Sequence, residues 1–180
     1  MEIESEGKSR VDVSVVFPAY NERENLENAV SKTVKILQGI TNSYEIIIAE
    51  DGCTAGTGML AARLASESAY VKHIHKSKRL GRGLALKNAF TKSKGRILYM
   101  DVDLASGIEQ LGALIEAIRN GCDFATGSRM LSASKVERSL SRQLTSKSFN
   151  FMARAFLGSK VSDHQCGFKA ARRGSFGDSG

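Results

Sequence analysis

The chain has 180 residues, a net charge of +7 and 42% hydrophobic residues, which is typical of a soluble α/β domain with a sizeable core. No apolar run approaches the roughly 20 residues that span a bilayer, and the polar start MEIESEGKSR argues against a signal peptide. The three cysteines are far apart and form no CxxC pair, so we expect reduced thiols.

Apolar runs alternate with helical patterns along the chain. Strands are predicted at 11–20, 44–51, 70–76, 95–103 and 122–129. Helices are predicted at 21–37, within 53–68, and at 84–93, 107–121 and 132–158. This alternation predicts an α/β fold, a mostly parallel sheet with helices on both faces.

Polar segments follow four of the predicted strands. They are residues 18–22, 50–51, 101–103 and 127–129. Because ligands of such sheets bind outside the carboxyl ends of the strands, we expect these segments to converge on one crevice.

Two aspartates end the predicted strand GRILYMDVD. Side chains two residues apart on an extended segment point the same way, so Asp101 and Asp103 would bring two carboxylates together. Two adjacent carboxylates are costly at neutral pH unless a cation is near them, and oxygen ligands suit Mg²⁺ or Mn²⁺ better than zinc. The alternative is a solvated acidic turn.

The positive charge is concentrated in the last 53 residues. Residues 128–180 hold 10 Lys or Arg and 3 Asp or Glu, whereas residues 1–127 hold equal numbers of each sign. Such a surface suits phosphates, an anionic membrane face or nucleic acid, and the alternative is a solvated helix face.

The glycine-containing loop SKRLGRG, residues 77–83, does not match either of two common nucleotide-binding motifs. GRGLAL does not follow the first strand and lacks the third small residue of a dinucleotide fingerprint, and no GxxxxGK[ST] occurs. The glycines around Arg82 would let the backbone approach an anion, and the helix start predicted at Leu84 offers free N–H groups. We assign no chemistry to His73 and His75.

Six motifs occur in an order and spacing that resemble family 2 glycosyltransferases of GT-A fold. They are VVFPAYNERENL, EDGCTAGTG, LGRGLALKNAF, GRILYMDVDL, ATGSR and DHQCGFKA. The likeness is greatest to the branch that transfers a sugar to dolichyl or polyprenyl phosphate. The DHQCGFK block is most similar to dolichyl-phosphate glucosyltransferases, with dolichol-phosphate mannose synthases as near neighbours.

The resemblance implies a nucleotide-sugar site at the predicted crevice. The positions that would bind the nucleotide are Pro18, Ala19, Tyr20, Glu22, Asp51, Arg82 and Asp101. Asp51 would accept an N–H of the base, which both uracil and guanine offer. Glu50 stands where the family usually has Asp.

The resemblance also assigns the metal and its role. Asp101 and Asp103 would hold Mg²⁺ or Mn²⁺ on the diphosphate, and the metal would neutralise charge on the departing nucleoside diphosphate. Mannose synthases of this class often have DxDxQ, whereas Ala105 occupies the glutamine position here, so Ser106 or water must complete the metal shell. This departure supports the glucosyltransferase likeness.

The acceptor residues are expected in the basic third of the chain. The resemblance implies that Arg129, Arg138, Arg142 and Gln165 bind the acceptor phosphate, and arginine can pair with phosphate through two hydrogen bonds. An ionised phosphate needs no general base, whereas a sugar hydroxyl does, and Asp163 is the candidate base for that case. The expected catalytic residues are therefore Asp103, Arg129 and Asp163.

We expect an inverting, metal-dependent hexosyltransferase that uses a nucleotide-sugar donor, UDP-glucose by resemblance, and a polyprenyl or dolichyl phosphate acceptor. The alternatives are a transferase acting on a saccharide hydroxyl with Asp163 as base, and a non-catalytic nucleotide-sugar binding domain. We expect a transferase domain at 11–170, with residues 1–10 disordered and 171–180 a disordered or truncated tail. The expected location is cytoplasmic, at the membrane face, without a nucleic-acid partner.

Overall fold

The computed structural model describes residues 11–54, 56–104, 107–127 and 166–172. These form six strands: β1 Val13–Ala19, β2 Tyr44–Glu50, β3 Val71–Ile74, β4 Arg96–Met100, β5 Phe124–Thr126 and β6 Phe168–Ala171. The helices are α1 Arg23–Gln38, α2 Thr57–Glu67, α3 Arg82–Lys92 and α4 Leu111–Arg119, the last preceded by a 3-10 turn at Ile108–Gln110. None of the helices within these ranges is both long and apolar enough to cross a membrane.

One mixed sheet organises the described part of the chain, with strand order β3-β2-β1-β4-β6-β5. Strands β3, β2, β1 and β4 are parallel, and β6 runs antiparallel to both β4 and β5. This confirms the predicted α/β fold with a mostly parallel sheet. The carboxyl ends of β1, β2, β4 and β5 therefore lie at one edge of the sheet, where β6 begins.

Helices cover both faces of the sheet. The larger core contains the apolar stripe of α1, which includes Leu26, Val30 and Leu37, together with side chains of α2 and α4. A smaller core on the opposite face joins α3 to Val16, Ile47 and neighbouring strand residues. The fully buried apolar strands β1 and β2 are explained by this double cover, since both of their faces are packed.

Three of the differences from the sequence prediction lie near the carboxyl edge of the sheet. Strand β4 ends at Met100 rather than at Asp103, because residues 101–104 form a turn closed by the Leu104 N–H and the Asp101 carbonyl at 3.1 Å. Helix α3 begins at Arg82 rather than Leu84, so Arg82 lies in the first helical turn. Strand β6 was not predicted, and it includes Ala171, one residue beyond the predicted end of the domain.

A buried carboxylate joins β2 to its neighbours at the amino end of the sheet. Glu45 accepts hydrogen bonds from the Ser14 hydroxyl and the Lys94 N–H, both at 2.6 Å, and pairs with the Lys72 ammonium. Burial alone would raise the pKa of Glu45, but the hydrogen bonds from Lys72, Ser14 and Lys94 outweigh it and hold the pKa below its usual value.

We expect Glu45→Gln to lower the free energy of unfolding by about 2–3 kcal/mol at neutral pH, because hydrogen bonds to a buried charge are lost. A lowered folded-state pKa contributes stability above the unfolded-state pKa, which is lost as pH falls through the folded-state value. The difference between wild type and variant should therefore shrink below about pH 4. Urea denaturation at several pH values measures it. Glu27→Gln, an exposed glutamate paired with Arg63, should change stability by less than about 0.5 kcal/mol.

Candidate nucleotide-sugar site

A crevice of about 350 Å³ opens at the carboxyl edge of the sheet. Its lining comes from the exits of β1, β2 and β4 and from the loop and helix that follow β3. The lining residues are Pro18, Ala19, Tyr20, Glu22, Ala49, Asp51, Arg79, Arg82, Ala85, Asp101, Val102 and Asp103. Separate polar segments thus meet where the strand topology places a ligand.

All eight predicted site residues within the described ranges line this crevice. They are Pro18, Ala19, Tyr20, Glu22, Asp51, Arg82, Asp101 and Asp103. Their individual roles stay predictions. Outside the described residues lie the other predicted site residues, Arg129, Arg138, Arg142, Asp163 and Gln165, as do Ala105 and Ser106.

Asp51 fixes the loop that forms one wall of the crevice. Its side chain is buried at the end of β2 and accepts the Leu80 N–H at 2.7 Å and the Gly81 N–H at 2.8 Å. Each carboxylate oxygen has a second lone pair, so Asp51 can also accept an N–H from a ligand. The adjacent Gly52 has φ +65°, and a Cβ there would lie 2.5 Å from the Arg79 nitrogen, so this close approach requires glycine.

The two aspartates after β4 lie in a turn, which corrects the extended geometry predicted for them. Val102 is buried between them, whereas Asp101 is half-buried and Asp103 is exposed, and both line the same crevice. Asp101 forms an ion pair with the Arg82 guanidinium from the first turn of α3. A negative turn and a positive helix start therefore face each other across the crevice.

Gly167 lies directly against Asp101. The Asp101 N–H donates to the Gly167 carbonyl at 3.0 Å, and a Cβ at position 167 would lie 1.7 Å from Asp101 Oδ2. Gly167 directly precedes β6, and its lack of a side chain makes room for the Asp101 carboxylate. The motif DHQCGFKA does not indicate this role in the sequence, because the contact depends on the pairing of β6 with β4.

Arg79 is a crevice residue that the sequence analysis missed. Its guanidinium carbon lies 3.8 Å from the centre of the Tyr20 ring, so a cation–π contact joins the loop after β3 to the exit of β1. In the loop SKRLGRG, the flanking glycines indicate a role for Arg82, whereas no sequence pattern indicates one for Arg79. Arg79 and Arg82 both line the crevice, which therefore contains two guanidinium groups.

The turns after β1 and β2 hold each other in place beside the crevice. Asn21 adopts φ +56°, its side-chain carbonyl accepts the Thr54 N–H at 3.1 Å, and its backbone N–H lies 3.3 Å from Cys53 Sγ. The left-handed conformation is one that asparagine tolerates better than most residues. These contacts fix the loop that carries Tyr20 and Glu22.

Residues 14–180 match the family profile described as Glycosyl transferase family 2. The chain belongs to glycosyl transferase family 2. The six motifs that indicated this family are therefore assigned correctly, and the sheet and helices are those of a GT-A transferase, as the resemblance implied.

Curated relatives support the branch of family 2 that the motifs indicated. The glycosyltransferase AglD of Haloferax volcanii is 44% identical over 92% of this chain and 27% of the relative. The dolichol-phosphate mannosyltransferase of Pyrococcus furiosus is 38% identical over 89% of this chain and 46% of the relative. The polyprenol monophosphomannose synthase of Mycolicibacterium smegmatis is 33% identical over 88% of this chain and 61% of the relative. This chain thus spans between about a quarter and three fifths of their lengths.

Two solved structures show the same fold as this member of family 2. Mannosyl-3-phosphoglycerate synthase from Rubrobacter xylanophilus has a TM-score of 0.64 at 21% identity, over 91% of this chain and 53% of that one. Glucosyl-3-phosphoglycerate synthase from Mycobacterium tuberculosis, crystallised with Mn²⁺ and UDP, has a TM-score of 0.60 at 20% identity. The match covers 92% of this chain and 58% of that one. These likenesses confirm the fold.

The chain also has a cluster of titratable side chains beside the crevice that sequence analysis did not predict. The carboxylate of Glu50 is fully buried at the end of β2, and its Oε2 faces His73 and His75. Burial would raise the pKa of Glu50, but hydrogen bonds from the Cys53 N–H and from His75 hold it below its usual value. Burial lowers the pKa of His73, although Glu50 opposes that effect.

Proposed function

We propose that the crevice binds a nucleotide-sugar donor with Mg²⁺ or Mn²⁺, and that the chain is the catalytic domain of an inverting hexosyltransferase acting on polyprenyl phosphate. The observation that carries the proposal is the convergence of Asp51, Arg82, Asp101 and Asp103 on one crevice at the carboxyl edge of the sheet. The relatives named as dolichol- and polyprenol-phosphate transferases support the acceptor class.

The donor atoms of the crevice fit a hard divalent cation. Asp101 and Asp103 offer carboxylate oxygens, and within the described part of the chain neither imidazole nor thiolate is among the lining residues. Such an ion, when bound, would neutralise charge on the departing diphosphate. Asp101 and Asp103 would hold it, as the family resemblance implies.

The chain's own residues supply base and phosphate contacts. Asp51 is held by two backbone N–H groups and keeps lone pairs for an N–H of the nucleobase. Arg82, which pairs with Asp101 here, can pair instead with a diphosphate oxygen, since arginine binds phosphates bidentately. Tyr20 and Arg79 close the crevice from the side of β1.

The acceptor side of the proposal rests on the sequence. An ionised phosphate attacks the anomeric carbon without a general base, and Arg129, Arg138, Arg142 and Gln165 are proposed to bind it. The excess positive charge of residues 128–180 suits the anionic surface of a membrane, and we propose peripheral binding at its cytoplasmic face. We propose glucose, from UDP-glucose, because Ala105 replaces the glutamine common in mannose synthases.

The test is a donor screen with radiolabelled UDP-glucose, GDP-mannose and UDP-N-acetylglucosamine, each offered with polyprenyl phosphate and with Mn²⁺ or a chelator. We expect label in the lipid phase only with metal, with UDP-glucose as the best donor. Polyprenol without the phosphate is the matched control acceptor. No transfer from any donor would contradict the catalytic proposal and favour the binding-domain alternative.

The role of Asp163 separates the proposal from the saccharide-hydroxyl alternative. If phosphate is the nucleophile, Asp163→Ala should keep transfer at near the wild-type rate across the pH range. Near-total loss of transfer with intact donor binding would instead support the base role.

We expect Arg79→Met to raise the KM for the donor about threefold to tenfold with little change in kcat, because a guanidinium beside the bound nucleotide is removed while the apolar stem remains. Initial rates at varied donor concentration measure this. Arg63→Met, which removes an exposed arginine on α2, is the matched control and should leave KM unchanged. An unchanged KM in Arg79→Met would show that Arg79 does not contact the donor.

A further inference from the structure

Glu50, His73 and His75 form a cluster whose donor atoms converge. One ring nitrogen of His73, one of His75 and a Glu50 oxygen all lie within 4.8 Å of one another. In the parallel pairing of β2 with β3, Ile48 is opposite His73 and Ala49 is opposite Ile74, and Glu50 and His75 directly follow this last pair. Residues two apart on a strand face the same side, which brings both imidazoles to one carboxylate.

Among the described contacts of this cluster, the Nε2 atom of His73 is left without a hydrogen bond. Glu50 Oε1 accepts the Cys53 N–H at 2.7 Å, and Oε2 forms a hydrogen bond with His75 Nδ1. His73 Nε2 lies 3.5 Å from Oε2 and is buried, but it makes no hydrogen bond within the described part of the chain. A buried polar atom without a partner costs free energy, and an ion bound between the three side chains would remove that cost.

We propose that Glu50, His73 and His75 bind one transition-metal ion, with Zn²⁺ as the best match, at a site separate from the donor crevice. Two imidazoles and one carboxylate form a known three-residue zinc set that leaves a fourth position for water. Zinc bonds of about 2.0–2.2 Å place neighbouring ligand atoms roughly 3.3–3.5 Å apart, which matches the distance between His73 Nε2 and Glu50 Oε2. The shorter contact to His75 must lengthen, and His75 can move because its side chain is 61% exposed.

A hydrogen bond to the other carboxylate oxygen of Glu50 favours an ion at this position. The Cys53 N–H holds the other oxygen, and hydrogen bonds of this kind orient metal-binding carboxylates.

The site is distinct from the proposed donor metal site in place and in chemistry. Neighbouring residues of a strand face opposite sides, so Glu50 faces α2 whereas Asp51 faces the crevice. Strand β1 separates β2 from β4, which puts roughly 10 Å between Glu50 and Asp101. Imidazole ligands favour Zn²⁺, whereas the carboxylates of Asp101 and Asp103 favour Mg²⁺ or Mn²⁺. The proposal does not depend on the proposed function.

Zinc binding to the full, tag-free chain tests the proposal. Titration calorimetry after removal of metals should show one site for Zn²⁺, with a rise in melting temperature of about 5–10 °C at 100-fold excess over Kd. Mg²⁺ should give no comparable shift. His75→Gln, which alters an exposed side chain, should raise the zinc Kd by at least about tenfold.

Two further variants identify the site. His164→Gln makes the same substitution at the one remaining histidine of the sequence and should bind zinc like the wild type. Asp103→Asn should also retain zinc binding, which separates this site from the crevice. Wild-type protein that binds no zinc, or His75→Gln that binds it as tightly as wild type, would overturn the proposal.

Discussion

Gly167→Ala is expected to lower sugar transfer by about 10²- to 10³-fold while the protein still folds. A Cβ at position 167 would lie 1.7 Å from Oδ2 and 2.4 Å from Cγ of Asp101. Because the obstructed group is the end of a side chain, the clash is relieved when Asp101 rotates away from the crevice. The substitution should therefore remove one proposed metal ligand without removing its carboxylate from the chain.

Transfer rates, Mn²⁺ affinity in the presence of nucleotide, and melting temperature together test this expectation. The matched control is Gly112→Ala in α4, where the added Cβ would make an ordinary 3.5 Å contact with Ile40 Cδ1. The control should keep full activity. Wild-type transfer by Gly167→Ala would show that the position of the Asp101 carboxylate does not matter for the reaction.

Asp51→Asn is expected to raise the Kd for the nucleotide about 10- to 100-fold. The two oxygens of Asp51 accept hydrogen bonds from the backbone N–H groups of Leu80 and Gly81. The amide of asparagine keeps only one of these oxygens, and its NH₂ group is a donor that faces the other N–H group, also a donor. One buried donor is left unsatisfied, which costs about 1–3 kcal/mol, and the crevice wall loosens. The same change removes the acceptor proposed for the base.

Two readouts follow the effect of Asp51→Asn. Calorimetry with UDP and GDP measures affinity, and hydrogen exchange should accelerate in residues 77–83, whose backbone Asp51 holds. Asp123→Asn changes an exposed aspartate that pairs with Arg172, and neither readout should respond to it. An unchanged nucleotide Kd in Asp51→Asn would remove Asp51 from the proposed donor site.

The strands and helices with clear periodicity were predictable from the sequence. The β-branched run of β1 fits a buried strand. In α1, the spacing of Leu26, Val30 and Leu37 fits one buried face of a helix, so each pattern indicates a single type of element. Strand β6 has only four residues, and its place between β4 and β5 depends on pairing with strands more than 40 residues earlier in the chain. Local pattern carries no signal for such pairing.

Site residues that directly follow a strand were predictable from the sequence. Contacts that depend on how strands pair or on the path of a loop were not. The rule for parallel sheets brought Asp51, Asp101 and Asp103 to one edge without any knowledge of contacts. The turn at 101–104 could not be foreseen, because Val102 fits a strand or a buried turn position equally well. The contact of Glu50 with His73 and His75 required the β2–β3 register, and that of Arg79 with Tyr20 required the path of a loop.

Nucleotide binding with and without Mn²⁺ tests the central claim most directly, because it depends on the crevice alone. Calorimetric titration of UDP and of GDP into the chain, and into Asp103→Asn, provides the measurement. The account predicts that Mn²⁺ strengthens binding of one nucleotide to the wild type by at least about tenfold, or about 1.4 kcal/mol, and that Asp103→Asn loses this gain. Failure of the wild type to bind either nucleotide, or equal binding with and without Mn²⁺, would contradict the account.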